Sequence, residues 1–345
     1  MTENGAWGHF LLAARGEEPP QVPVALAADC RYIANALDMN MLDFLLYPER
    51  WLNAYLTLIA RFPDVLFLPG FWVEFGMATE ASAFGASVLW RSDHAPTIRP
   101  LHLPAEQWGE IPQPDPYTDG LMALALHRYW NLEHNGELPE PHRIRFAAAR
   151  GPFAIASHLV GTNAFMGALA DERQQRHALN LVETLTDTTI RYLQAQLGCL
   201  RAPMGIMLID DTTGMLTTNQ FERLAAPILN RIFAAFDGLV RIYHNSTPCV
   251  HLLSGIAHLD FEVFHFSHQM DIRSVKAALQ HKAVMGNLAP LGTVAHGTPE
   301  QIQDVVRRSL DSLTDYAGVI LSAGGMVQPD TPPENIDALF EATRR

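Results

Sequence analysis

The sequence predicts an α/β protein, a single (β/α)8 barrel with an insertion after its second strand, and three observations lead there. Eight short apolar runs rich in β-branched residues are bounded by turn residues and separated by stretches of helical periodicity, the alternation of repeated β-α units. Eight such units can close on themselves, whereas an open doubly wound sheet carries fewer strands and an early glycine fingerprint. Neither GxGxxG nor GxxxxGK[ST] occurs in the chain. With 345 residues, 48% of them hydrophobic, a large core can be buried, though length alone fits two small domains as well as one barrel. The regular alternation decides for one domain over residues 1–345.

In chain order the predicted strands are Val22–Ala27, Val65–Gly70, Ile144–Ala149, Met204–Asp210, Leu239–His244, Phe261–Phe266, Ala283–Leu288 and Gly318–Ala323. Amphipathic helices are clearest over Glu172–Gln196, Thr218–Phe236, Pro299–Tyr316 and Pro332–Thr343. The last two open on Thr298-Pro299-Glu300-Gln301 and Thr331-Pro332-Pro333-Glu334, each reading as a threonine N-cap, a proline in the first helical position and an acid in the first turn. Between the second and third strands, Trp90–Pro141 breaks the rhythm with Pro104, Pro112 and Pro114. That segment reads as the insertion; a lid over the site and a plain surface excursion both remain open.

A net charge of −13 with only two lysines, Lys276 and Lys282, argues against a surface that tracks phosphates, and so against nucleic acid as a partner. No run approaches the roughly 20 apolar residues of a membrane helix. Three cysteines make no disulfide framework, and Met1 to Glu18 lacks a basic leader, so a cytoplasmic location is expected.

Active sites of such barrels sit at the C-terminal ends of the strands, which directs attention to polar residues just beyond each apolar run. They are Asp29 and Arg31 after the first strand, Asp210 and Asp211 after the fourth, and His244 and Asn245 after the fifth. His265, Ser267 and His268 flank the sixth, Asn287 lies in the seventh, and Gly324 and Gly325 follow the eighth. Asp210 and Asp211 are the acid-base candidates. Adjacent residues at a strand end point to opposite sides, so one of them faces the pocket while the other caps the turn, and strand position favours Asp210. Burial in an apolar barrel mouth would raise the pKa of the inward carboxyl. Histidines crowd the stretch from His244 to His296, where His244, Cys249 and either His265 or His268 are the candidate ligands of a zinc site. The spacing matches no metal motif, so no metal ligands are expected.

From about Arg150 onward, four ordered motifs resemble the closing pattern of the uroporphyrinogen decarboxylase superfamily. They are Gly286-Asn287-Leu288-Ala289-Pro290, Gly297-Thr298-Pro299-Glu300-Gln301-Ile302, Ile320-Leu321-Ser322-Ala323-Gly324-Gly325 and Thr331-Pro332-Pro333-Glu334-Asn335-Ile336. Arg150-Gly151-Pro152-Phe153, Met204–Asp211, Tyr243-His244-Asn245-Ser246-Thr247-Pro248 and Glu80-Ala81-Ser82-Ala83-Phe84-Gly85-Ala86 are similar to earlier parts of the family. The resemblance implies a barrel with a deep pocket that either decarboxylates a porphyrinogen or moves methyl groups to or from a corrinoid cobalt.

The decarboxylase branch implies a basic cradle with paired arginines after the first strand, where this chain has only Arg31, beside Asp29. In thiol-directed methyltransferases the resemblance implies a zinc held by a His-x-Cys pair and a later Cys. In one register Ser246 and Gly325 stand at the cysteine positions; in the other, Arg241 and Tyr243 occupy the positions of the pair. Neither register supplies a cysteine, so zinc is not expected. The expected function is therefore methyl transfer between a small molecule, a folate such as tetrahydrofolate or a methylated or methoxylated compound, and a cobalamin-type corrinoid on a partner protein. Asp210, Asp211 and His244 are the expected catalytic residues, and Asp29, Arg31, Asn245, His265, Asn287, Gly324 and Gly325 the expected substrate contacts. A tetrapyrrole decarboxylase and a non-catalytic relative remain the alternatives.

Overall fold

The structure, a computed structural model, describes residues 5–140 and 142–344. Its main sheet has eight parallel strands: Val24–Ala27, Val65–Leu68, Phe146–Arg150, Gly205–Ile209, Val240–Asn245, Val263–Phe266, Ala283–Leu288 and Val319–Ala323. Their ends differ from the predicted ones by no more than two residues. The ladder runs second, first, eighth, seventh, sixth, fifth, fourth, third, so only the second and third strands share no ladder and the barrel is nearly closed. Helices cover the outside and side chains fill the inside. Both faces of each strand are thereby buried, which is why the strands read as continuous apolar runs.

Alternate residues fill the barrel interior, Ala25 and Ala27, Phe146 and Ala148, Met207 and Ile209 among them. Helix Ala6–Ala14 closes the N-terminal end, with Trp7 stacked on Phe146 and Phe10 edge-on to it. The opposite end, where the strands finish, is left for polar residues.

The outer helices stand where the sequence puts them with shifted ends, Glu172–Gln196 being observed as Gln175–Cys199 and Pro299–Tyr316 stopping at Asp311. Helix Pro299–Asp311 starts with a capping box formed by Thr298 and Gln301, as its sequence predicts. The final helix, Pro333–Glu341, is capped by Pro332 instead of Thr331, whose buried hydroxyl has no hydrogen-bond partner. Pro333 disfavours helical backbone in the residue before it, so Pro332 stays extended and the helix starts one residue later. Thr218–Phe236 is helical without a gap as far as Ala234 but is not α-helical throughout. A π turn at Phe221–Ala225 separates Thr218–Gln220 from Ala226–Ala234, beside Pro227, which has no N–H for the regular α bond.

The insertion begins before the expected Trp90, with an antiparallel hairpin of Ser87–Leu89 and Thr97–Arg99, and continues through a 3-10 segment Ala105–Glu110 and helix Gly120–His134. It packs on the outer helices: Leu101 N–H donates to Leu159 O at 2.7 Å, and His134 Nε2 lies 3.0 Å from Cys199 O at the end of helix Gln175–Cys199. Pro141, the last residue of the expected insertion, lies outside the described residues.

Candidate functional site

Continuing the interior alternation past the strand ends brings a second, polar layer into the barrel. After Met207 and Ile209 comes Asp211, after Phe146 and Ala148 comes Arg150, and after Ile242 and Val263 come His244 and His265. A cavity of about 310 Å³ opens above this layer, lined by Arg31, Asp211, His244, Ser246, His268 and the Gly324-Gly325 turn. A wider cavity of about 620 Å³ lies at the unpaired seam between the second and third strands, walled by residues such as Trp7, Leu58 and Phe71. It runs along that seam from Trp7 to Pro69, Gly70 and Phe71 and holds none of the expected site residues, several of which line the smaller cavity instead.

Asp211, not Asp210, lines the cavity. Its Oδ1 accepts from the Ser246 N–H at 2.5 Å and the Ser246 hydroxyl at 2.9 Å, and lies 3.7 Å from His244 Nε2. That last separation exceeds hydrogen-bonding range, so no proton is shared there directly. The Asp211 side chain is 44% exposed, but it sits in a cleft whose surrounding protein pushes its carboxyl above the ordinary range.

Asp210 points the other way, into the helix layer, and is fully buried. Its Oδ2 accepts from Phe153 N–H at 3.0 Å, at the start of helix Pro152–Val160. The cap residue of that helix, Gly151, has no side chain, and a Cβ there would collide with Asp210. Asp210 therefore supplies from a neighbouring strand the cap that Gly151 cannot. Burial pushes its carboxyl well above the usual range.

Asn245 also faces away from the cavity, its amide donating to Asp210 O, Thr213 Oγ1 and Tyr243 Oη, each at 3.1 Å. Asn287 donates to Met270 O at 2.5 Å and so ties down the loop after the sixth strand. Ser267 is buried beneath that loop and accepts from Gln269 N–H, while His268 reaches the cavity.

His244 and His265 stand side by side, in register on adjacent strands, with their Nδ1 atoms 2.7 Å apart. His265 Nε2 lies 2.7 Å from the Ala323 carbonyl. Burial lowers the pKa of His244 to about 4 and that of His265, also opposed by its neighbour, to about 3, so both rings are neutral near pH 7.

Charge at the mouth is paired. Arg31 donates to Asp29 through Nε at 2.8 Å and Nη2 at 2.5 Å. Arg150 lies between two buried carboxylates, 3.1 Å from Glu74 and 3.3 Å from Glu80. Glu74 also accepts from Cys30 N–H at 2.9 Å, and burial raises its pKa. Sequence reasoning left Glu74, Glu80 and Arg150 out of the site. Glu80 and Arg150 stand in motifs that carry the family resemblance, whereas Glu74 has no signal beyond following the second strand.

His244, Ser246 and Gly325, the residues of one register expected from the resemblance, line the cavity. Arg241 and Tyr243 face the helix layer, where Arg241 pairs with Asp260 and Glu262. Ser246 and Gly325 do meet, since a Cβ on Gly325 would lie 3.6 Å from that of Ser246. A thiolate zinc site nevertheless does not fit. The Ser246 hydroxyl is bonded to Asp211, and Gly325 has φ +146°, which strains any L side chain. Cys249 is buried against Met270, and burial pushes its thiol up to about 12. Among the described residues, no group of three or more His, Cys, Asp or Glu could hold a metal ion.

Fold and site together define a (β/α)8-barrel enzyme with a small polar cavity at the strand C-termini. The uroporphyrinogen decarboxylase (URO-D) family model matches residues 8–345, and the chain belongs to that family. It is 28% identical to the uroporphyrinogen decarboxylase of Geobacillus thermodenitrificans (strain NG80-2), over 96% of this chain and 94% of that protein. It is 25% identical to the uroporphyrinogen decarboxylase of Danio rerio, over 96% of this chain and 92% of that protein. Among solved structures, a methyltransferase from Methanosarcina mazei superposes with a TM-score of 0.81 at 18% identity, covering 98% of both chains, a likeness of fold.

Proposed function

We propose that this chain moves a methyl group between a small molecule, a folate or a methylated or methoxylated compound, and the cobalt of a corrinoid carried by a partner protein. The observation that carries this reading is the pairing of the arginines around the cavity: Arg150 is held by Glu74 and Glu80, and the half-exposed Arg31 is bonded to Asp29 through Nε and Nη2. A polycarboxylate tetrapyrrole needs unpaired, charge-assisted donors at the same place. The cavity, about 310 Å³, is also at the small end of the usual range for ligand pockets, roughly 300–1,000 Å³. The fold shared with the Methanosarcina mazei methyltransferase agrees with the reading.

In this reading the protein orients the two reactants and manages one proton. When the substrate heteroatom loses its methyl group it needs a proton, which Asp211 can hold because burial favours its neutral form. When the heteroatom instead gains a methyl group it must shed its proton, and neutral His244 beside Asp211 can take it. Proximity supplies much of the remaining acceleration.

The test is methyl exchange by the purified protein with methylcobalamin or cob(I)alamin, followed by cobalamin absorbance, against folate, thiol and methoxyaromatic partners. Exchange with at least one partner supports the proposal. Decarboxylation of a porphyrinogen with no exchange establishes the decarboxylase reading, and inactivity in both assays favours a non-catalytic relative.

A further inference from the structure

We infer that His265 is a positioning residue that fixes the tautomer of His244, so that His244 presents a bare Nε2 to the cavity. The inference follows from two short contacts and the rule that a carbonyl oxygen can only accept. His265 Nε2 is 2.7 Å from Ala323 O, so the hydrogen of that bond belongs to His265 Nε2. A neutral imidazole carries one N–H, which leaves His265 Nδ1 as an acceptor. Its neighbour at 2.7 Å, His244 Nδ1, must then be the donor. His244, with its one N–H used on Nδ1, keeps a lone pair on Nε2, the atom 3.7 Å from Asp211 Oδ1.

The chain of contacts is built into the barrel. His244 and His265 are register partners on the fifth and sixth strands, and both side chains point inward. Ala323 ends the eighth strand, so His265 reaches past the seventh strand to its acceptor. Both histidines are almost completely buried. A free histidine side chain prefers its hydrogen on Nε2, so the barrel imposes the less favoured form on His244. The bare Nε2 and Asp211 Oδ1 together present two acceptors to one point of the cavity. A bound group that brings its own X–H, a hydroxyl, thiol or amine, donates it to Nε2 beside the Asp211 carboxylate, and its proton passes to Nε2 as the X–H bond breaks. The electron pair of that bond stays on X.

Nitrogen-15 spectra of histidine-labelled protein test this without substrate, so a failure of the proposed reaction leaves the result readable. His244 is assigned by the loss of its signals in His244→Gln. The expected result in the wild type is an unprotonated Nε2 and a protonated Nδ1 on His244 near pH 7. In His265→Leu, which removes both contacts, His244 should move to the Nε2–H form, and kcat should fall on the order of 10²-fold with KM little changed. His265→Gln keeps an acceptor for His244 and a donor for Ala323, and should restore most of the turnover. A wild-type His244 protonated on Nε2 and bare on Nδ1 overturns the inference by itself, even if neither variant folds. An unchanged His244 tautomer in a folded His265→Leu does the same.

Discussion

Replacing each of the adjacent aspartates in turn separates catalysis from architecture. Asp211→Asn keeps the shape and one acceptor for Ser246 but removes the transferable proton and the negative charge in the cavity. If Asp211 acts as acid or base, kcat should fall roughly 10²–10⁴-fold, which is about 2.7–5.4 kcal/mol of activation free energy. Folding stability should change little, because the Asp211 side chain is 44% exposed and its partners are loop groups. Asp210→Ala should do the reverse. It strips the acceptor from the Phe153 N–H at the start of helix Pro152–Val160, a cap loss of about 0.5–2 kcal/mol, and leaves the cavity lining intact. Asp210→Asn mimics the protonated carboxyl that burial favours, and should lie closer to wild type than Asp210→Ala in both assays. Turnover is read from single-turnover methyl exchange and stability from urea unfolding. Normal turnover in Asp211→Asn, or loss of turnover in a stable Asp210→Asn, refutes the assignment of roles.

Arg150→Met should destabilise by about 3–5 kcal/mol in chemical unfolding, because it strands the buried Glu74 and Glu80 carboxylates, and a loss below about 1 kcal/mol would contradict the pairing. Gly151→Ala should cost about 1–3 kcal/mol by overpacking against Asp210, and a neutral effect on the melting temperature would show that the contact can relax. Acid should weaken the fold through the buried histidine pair. His244 and His265 titrate near 4 and 3 when folded but at the ordinary 6.5 when unfolded. Their contribution is thus full above pH 6.5 and lost as pH falls toward 4, by up to about 1.4 kcal/mol per pH unit per histidine. Glu74, Asp210 and Asp211, with raised values, act in the opposite sense. The measurement is therefore the difference in pH slope between wild type and His265→Gln, and equal slopes between pH 4.5 and 6.5 count against a neutral buried pair.

Local sequence determined the eight strands, the capping box at Thr298 and the family motifs, because apolar runs, turn residues and caps depend on neighbours a few positions apart. It also brought the strand-end rule to Arg31, Asp211, His244, His268 and the Gly324-Gly325 turn, which share the cavity. Between the adjacent aspartates, strand position favoured Asp210, whereas it is Asp211 that lines the cavity. A strand buried on both faces, as Gly205–Ile209 is, has no polar side to mark which residues point inward, so only the packed barrel labels the face. Other features depend on separations no local pattern encodes. Arg150 meets Glu74 and Glu80 across 76 and 70 residues, and Asp210 caps a helix whose first residue lies 58 positions earlier in the chain. The orientation of the proton on His244 is more remote still. It is set by the register between the fifth and sixth strands and by a carbonyl at the end of the eighth, and a register is fixed only when the barrel closes around its core.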